Sequence, residues 1–305
     1  MSHDTKGQHG HDHEGHAGRG HEDDSHSDHN HDSGAATADA SPPAGDPQHP
    51  FTLAVDIGGT GLKASVLDAA GLMVADRVRI PTTYPLPPDK LVSDLGRLVA
   101  PLPKAERASV GFPGMVRDGK VLSAPHFSTT GGPGTDVDPD LFKLWSSFDL
   151  AGALTTAFGL PTKVANDADI QGAAVITGQG LELAITLGTG FGTGLFYQGQ
   201  LMPHLEIAHQ PFRKGETYND QLGEATRKEI GEERWNKRVR KAIANLRALM
   251  FFDHLYIGGG NSRRVIRHNL DDDVTIVDNS AGILGGIKLW EQDHLVLNQT
   301  SKPTT

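Results

Sequence analysis

The chain has 305 residues, a formal net charge of -10, no cysteine and 37 glycines. That length admits two lobes of ordinary domain size, and the missing cysteine excludes disulfides, thiolate metal sites and a cysteine nucleophile. With no run of about 18 apolar residues and no apolar signal core at the N-terminus, the expected setting is the cytoplasm, with no membrane partner.

Charge is concentrated at the N-terminus. Residues 1–50 carry ten Asp/Glu against Lys6 and Arg19, a net of -8, together with ten of the 16 histidines. Almost no large apolar residue lies there, so 1–50 is expected to be a disordered His/Asp-rich tail with loose affinity for Zn²⁺ or Ni²⁺.

Composition changes at Phe51. Phe51–Asp56 predicts a strand, Gly58-Gly59 a turn, Leu62–Asp68 a second strand and Leu72–Ile80 a third, together an antiparallel meander. Pro81–Pro88 punctuates the chain before an amphipathic helix over Lys90–Ala100 and a strand over Ala108–Gly111 that runs into Phe112-Pro113-Gly114. Residues 126–148 read as a Gly/Pro/Asp loop with Trp145 near its end. Helix Leu150–Phe158, strand Lys163–Asn166 and helix Ala168–Thr177 follow. Leu181–Leu187, Gly188–Gly192 and Thr193–Tyr197 then repeat the order strand, Gly/Thr turn, strand, which suggests two related lobes. Helices are expected over Glu216–Ile230 and Glu233–Phe251, the second with Trp235, Val239, Ala242, Ile243, Leu246 and Leu249 as its buried stripe. Strand His254–Ile257, the run Gly258-Gly259-Gly260, strand Val274–Val277 and helix Ala281–Trp290 close the folded part. Strands alternating with helices around a meander imply an α/β fold of two lobes.

Five clusters carry chemistry. In Asp56-Ile57-Gly58-Gly59-Thr60-Gly61-Leu62-Lys63, glycines let backbone N–H groups approach phosphate oxygens. Thr60 adds a hydroxyl, Lys63 a positive charge, and Asp56 a carboxylate able to hold Mg²⁺ through water. An ordinary tight hairpin has the same pattern. Gly188-Thr189-Gly190 heads a second such cradle, and two in one chain argue against coincidence. Gly258-Gly259-Gly260, between a strand and an expected helix, offers N–H groups and a positive helix end to a nucleotide or anion. No GxxxxGK[ST] occurs, so a P-loop is excluded. Asp167, in Asn166-Asp167-Ala168-Asp169, can accept a hydroxyl proton during attack on phosphorus, although an Asn or Asp here also caps a helix. Glu206 and His209 can grip adjacent sugar hydroxyls, although a lone histidine more often has a structural role.

Together these motifs resemble the ROK family of sugar kinases over roughly Leu53–Trp290. The resemblance covers the phosphate-binding opening Asp56–Lys63, the Gly-x-Pro-Gly sugar loop Gly111–Gly114, the pair Asn166-Asp167, the second loop Gly188–Gly194 and the triple glycine Gly258–Gly260. It implies an actin-like ATPase fold, related to ribonuclease H, with the cleft between a small lobe (51–178, with helix 280–292 returning to it) and a large lobe (179–279). It makes Asp167 the catalytic base, places Gly114, Asn166, Glu206 and His209 on the hexose, and implies Mg²⁺ and a homodimer. Departures are Ala208 in place of the glycine of Glu-x-Gly-His, His126-Phe127 in place of an Asn before an apolar residue, and the lack of zinc-binding cysteines. A cysteine-free member looks like the polyphosphate glucokinases, which points to polyphosphate or ATP as donor and to glucose, with mannose as a second sugar.

Arg213–Arg247 holds ten Lys/Arg against six acids, a net of +4, with Arg234, Arg238 and Lys241 on one helix face. A polyanion track would need such a face, and a solvated face of Glu–Lys pairs would look alike. The rival readings are a sugar-responsive regulator and a sugar-binding protein without turnover. Against the first, the -8 tail would repel nucleic acid; against the second stand Asp167 and the two phosphate loops.

Overall fold

The computed structural model describes residues 50–277 and 285–291, so the expected tail and the start of the last helix lie outside the described residues. The first sheet has the order β3-β2-β1-β4-β7, from β1 (Thr52–Ile57), β2 (Gly61–Leu67), β3 (Val78–Pro81), β4 (Arg107–Phe112) and, further along, β7 (Thr162–Asn166). Between them come helix α1 (Pro88–Val99), the ribbon of β5 (Met115–Arg117) and β6 (Lys120–Ser123), and helices α2 (Pro139–Trp145) and α3 (Leu150–Phe158). Helix α4 (Asp167–Ala173) leads to β8 (Leu181–Leu187), β9 (Phe191–Tyr197) and β10 (Gln200–Leu201). After β11 (Pro211–Arg213) and β12 (Glu216–Thr217) come helices α5 (Tyr218–Leu222), α6 (Glu224–Ile230) and α7 (Glu232–Met250), then β13 (His254–Gly258), β14 (Val274–Ile276) and α8 (Gly285–Glu291).

The second sheet, β10-β9-β8-β13-β14, repeats the first. In each, a central strand pairs antiparallel with the next strand and parallel with a later one, which pairs parallel with a fourth. Each sheet has its own apolar core, one around Val55, Val110, Phe127 and Trp145, the other around Ile185, Trp235, Leu246 and Ile257. The weak repeat of Gly/Thr turns is therefore a repeat of whole-sheet topology.

Several boundaries differ from the sequence pattern for local reasons. The third strand is only Val78–Pro81: the Asp68 carboxylate accepts the Ala70 and Leu72 N–H groups and turns the chain, leaving Leu72 and Met73 exposed. Within the expected loop 126–148, Asp138 caps α2 by accepting from the Asp140 and Leu141 N–H groups, and Trp145 Nε1 donates to the Leu86 carbonyl at 3.0 Å. The expected helix Glu216–Ile230 breaks at Gly223, where a Cβ would lie 2.6 Å from the Thr189 carbonyl oxygen. On α7 the apolar stripe is buried through Leu246, but Leu249 is 70 % exposed because it lies beyond the edge of the core. Helix α8 packs on β4 and α4; the Ser109 hydroxyl donates to the Gly286 carbonyl, and Trp290 Nε1 donates to Ser109 Oγ at 2.9 Å.

Candidate active site

The β1–β2 turn closes through Gly58 N–H donating to the Gly61 carbonyl at 3.0 Å. Thr82 Oγ1 donates to the Gly58 carbonyl at 2.6 Å and the Tyr84 hydroxyl to the Gly59 carbonyl at 2.8 Å, which uses the turn's acceptors and leaves Thr60 exposed at its tip. A Cβ on Gly59 would sit 2.9 Å from Pro133 and 3.5 Å from His126 Nδ1, so glycine here lets the 126–133 loop close on the turn. Lys63 is not the free phosphate ligand its position suggests. It faces Asp56 across the strand pair, Nζ to Oδ2 2.9 Å.

Asn166 ends β7 and caps α4. Its Oδ1 accepts the Ala168 N–H at 2.8 Å, and its Nδ2 donates to the Gly114 carbonyl at 3.0 Å. Expected on the sugar, this buried amide joins helix α4 to the Gly111–Gly114 loop. Gly114 is needed for packing, since a Cβ there would lie 2.3 Å from the Ser123 carbonyl oxygen. Next to it, Asp167 lines a pocket of about 230 Å³ with Asp56, Lys63, Arg77, Gly111 and Gln171. Its Oδ1 accepts one backbone hydrogen bond, from Ala168 at 2.9 Å. Burial, and then the charge of Asp56 with smaller contributions from Asp169 and Glu206, push the Asp167 carboxyl up to about 6. A carboxyl tuned there is ionised at neutral pH and basic enough to take a hydroxyl proton.

The second glycine turn is built against the first lobe's helix. Cβ atoms on Gly192 and Gly194 would meet Ala168 at 2.9 and 3.1 Å, so these glycines let α4 approach β9. A Cβ on Gly190 would collide with Asn219 Oδ1, which accepts the Phe191 N–H at 3.1 Å, while the Gly188 and Thr189 carbonyls both accept the Glu224 N–H. Gly188 has open space where a side chain would be, and Thr189 is exposed. Asn261 Nδ2 donates to the Gly188 carbonyl at 3.0 Å and so brings the triple-glycine loop beside this turn. Gly259, at φ +85°, lies against the Leu187 backbone, and Gly258 is buried; Gly260 alone of the three is exposed. A three-residue 3-10 turn, Ser262–Arg264, follows in place of the expected helix, so no helix dipole serves this loop.

Glu206 precedes the 3-10 turn Ile207–His209 and faces a cluster of histidines. The His204 ring, its Nε2 3.5 Å from Glu206 Oε2, opposes the effect of burial, and the charges of His209 and His126 add to it, holding the Glu206 carboxyl below its ordinary value. His209 is exposed, and Ala208 is buried in the second core, which accommodates its methyl group. His204 is buried and within 2.9 Å of Asp169. Sequence reasoning passed over it because a single histidine in an irregular segment carries no spacing signal; its place two residues before Glu206 was the only pointer.

Among the described residues, no group of three or more His, Asp or Glu could hold a metal ion. The lone Asp56 carboxylate fits an ion held mainly by a donor's phosphates and water, not a protein cage.

Two sheets of one topology, each with a glycine turn at its first hairpin and α4 between them, define the two-lobed actin-like ATPase fold. The ROK family profile matches residues 52–204, and the chain belongs to that family. It is 25 % identical over 262 residues to a polyphosphate glucokinase of Mycobacterium tuberculosis, covering 80 % of this chain and 92 % of that one. Over 158 residues it is 36 % identical to an N-acetylmannosamine kinase of Escherichia fergusonii, half of this chain and 49 % of the relative. The solved structure of an inorganic polyphosphate/ATP-glucomannokinase from Arthrobacter sp. strain KM matches with a TM-score of 0.64 and 28 % identity, over 80 % of this chain and 99 % of that one. Among the described residues, no helix is long and apolar enough to cross a membrane.

Proposed function

We propose that the protein is a sugar kinase that transfers a phosphoryl group from polyphosphate or ATP to the 6-hydroxyl of glucose. The observation that carries this reading is Asp167, a carboxyl pushed up to about 6 in a pocket it shares with Asp56 and Gly111. Asp167 takes the proton of the attacking hydroxyl, and Asn166 holds the helix that aims it. Glu206 is ionised and accepts hydrogen bonds from sugar hydroxyls, with His209 beside it. The backbone N–H groups of Gly59, Thr60 and Thr189 face the donor's phosphates, those of Gly58 and Gly188 being used to close the turns. Mg²⁺, carried in with the donor and reached by Asp56 through water, would neutralise phosphate charge.

The basic face supports polyphosphate as one donor. Arg234, Arg238 and Lys241 form no ion pair among the described residues, in contrast to Lys237, which pairs with Glu233 on the same helix. Burial and the like charge of Arg213 lower the pKa of Arg238, and Lys241 Nζ lies 5.9 Å from the Phe212 ring centre, so the face continues onto β11. An unpaired cation track suits a long polyanion. The test is a parallel assay of glucose phosphorylation with ATP and with polyphosphates of increasing length, on wild type and the R234A/R238A/K241A variant. The variant should show a raised KM for long polyphosphate with a flatter salt dependence, and an unchanged KM for ATP. No turnover of glucose with either donor overturns the function; identical length dependence in both proteins overturns the track.

A further inference from the structure

Asp169 lies on α4 two residues after the proposed base. His204 Nδ1 is 2.9 Å from Asp169 Oδ2, and the other ring nitrogen, Nε2, is 3.5 Å from Glu206 Oε2. The Asp169 and His204 side chains are 3 % and 4 % exposed. Burying an ion pair is a poor source of stability, and this one is incompletely satisfied, since neither Asp169 Oδ1 nor His204 Nε2 has a hydrogen-bond partner among the described residues. Packing therefore does not account for it. What the pair does accomplish is to link the helix that carries Asp167 to the carboxylate facing the sugar.

The charges around it give the link a purpose. Asp56, Asp169 and Glu206 all act on Asp167 as like charges. His126 and His209 act on Glu206, and His204 acts on both Glu206 and Asp169. We propose that His204 is a positioning residue: held by Asp169, it holds Glu206 for the hexose by an ion pair and offsets part of the negative charge that the two acids place beside the base. The proposal rests on the sugar-kinase reading. Burial alone would push the His204 imidazole down, but Asp169 and Glu206 together hold it up at about 10, while burial raises the Asp169 carboxyl despite its hydrogen bond with His204.

The test compares wild type with H204N, D169N and D169N/H204N, with thermal melts to verify folding. Two readouts are needed: hexose kinetics against pH, and titration of the Asp167 carboxyl carbon by NMR without substrate. In H204N the acidic limb of kcat and the Asp167 titration should both rise by about one pH unit, as two acids lose their counter-charge. Hexose KM should rise about tenfold because Glu206 loses its clamp. In D169N/H204N the titration should return towards wild type while KM stays high, a split that a merely structural role does not produce. D169N alone removes one like charge and should move the Asp167 titration down, which keeps the proposal testable if H204N does not fold. An unchanged Asp167 titration in the folded variants overturns the proposal. A wild type that phosphorylates no hexose overturns the kinase reading alone, because the NMR arm needs no sugar.

Discussion

Helix α4 has buried carboxylates at both ends, several at its start and one beyond its finish, and Asp167 and Glu182 are in opposite states. Beyond its C-terminal end Glu182, 0 % exposed, accepts from Thr177 N at 2.7 Å, Thr177 Oγ1 at 2.9 Å, Gly178 N at 2.7 Å, Gln179 N at 3.1 Å and the Tyr256 hydroxyl at 3.0 Å. Burial would raise this carboxyl, but the donors outweigh it and hold it below its ordinary value. At the N-terminal end Asp167 has one backbone donor and three acidic neighbours, and its carboxyl rises. The number of hydrogen-bond donors, more than depth of burial, separates a carboxylate that holds the fold from one left free to react.

The contrast has a sign in pH. Asp167, raised from 3.8 to about 6, favours the folded state most at low pH, and that contribution is lost as pH rises through this window. Glu182, lowered from 4.5, contributes stability that is present above that value and lost as pH falls through its folded pKa. The same window governs activity in the other direction, because only ionised Asp167 can accept a proton. The kcat of the wild type should therefore fall below about pH 6.

Substitutions at the two ends should separate chemistry from stability. The largest effect is expected from Asp167→Asn, which keeps size but removes the proton acceptor. Steady-state assays should show kcat reduced by roughly 10²–10⁴ with hexose affinity little changed; near-normal turnover would remove Asp167 from the mechanism. Glu182→Gln puts an NH₂ donor in place of one accepting oxygen within a nest of donors and leaves some unsatisfied, at a cost of about 2–4 kcal/mol. Denaturant unfolding should record that loss while kcat, measured where the variant is folded, stays near wild type. If kcat fell with stability intact, the two ends would not be separable. The smallest effect is expected from Asn166→Ser, which keeps a helix-capping oxygen but drops the amide tether to Gly114. It should cost about 1 kcal/mol in thermal unfolding and raise hexose KM more than it lowers kcat.

Much of the site was legible because its chemistry is local. Asn166-Asp167 at a strand-to-helix junction and two Gly/Thr turns after alternating strands signal their geometry within a few residues. The roles of individual members were less legible. Lys63 is occupied by Asp56 because they are cross-strand neighbours, Asn166 by Gly114 because β7 runs beside β4, and Gly192 and Gly194 by α4. Strand pairing and helix approach assign these partners, and spacing along the chain does not report them.

By itself the sequence determined the α/β class, the two-lobed order of elements, the glycine turns and the identity of the candidate base. These follow from period, turn chemistry and short motifs, which act between neighbours in the chain. Only the tertiary structure decided that the two sheets share one topology, that Gly223 splits the helix before α7, and that Asp169 and Glu206 meet across His204. Each of these depends on atoms brought within a few ångströms from distant parts of the chain, where burial and electrostatic interaction become strong enough to set a proton's affinity.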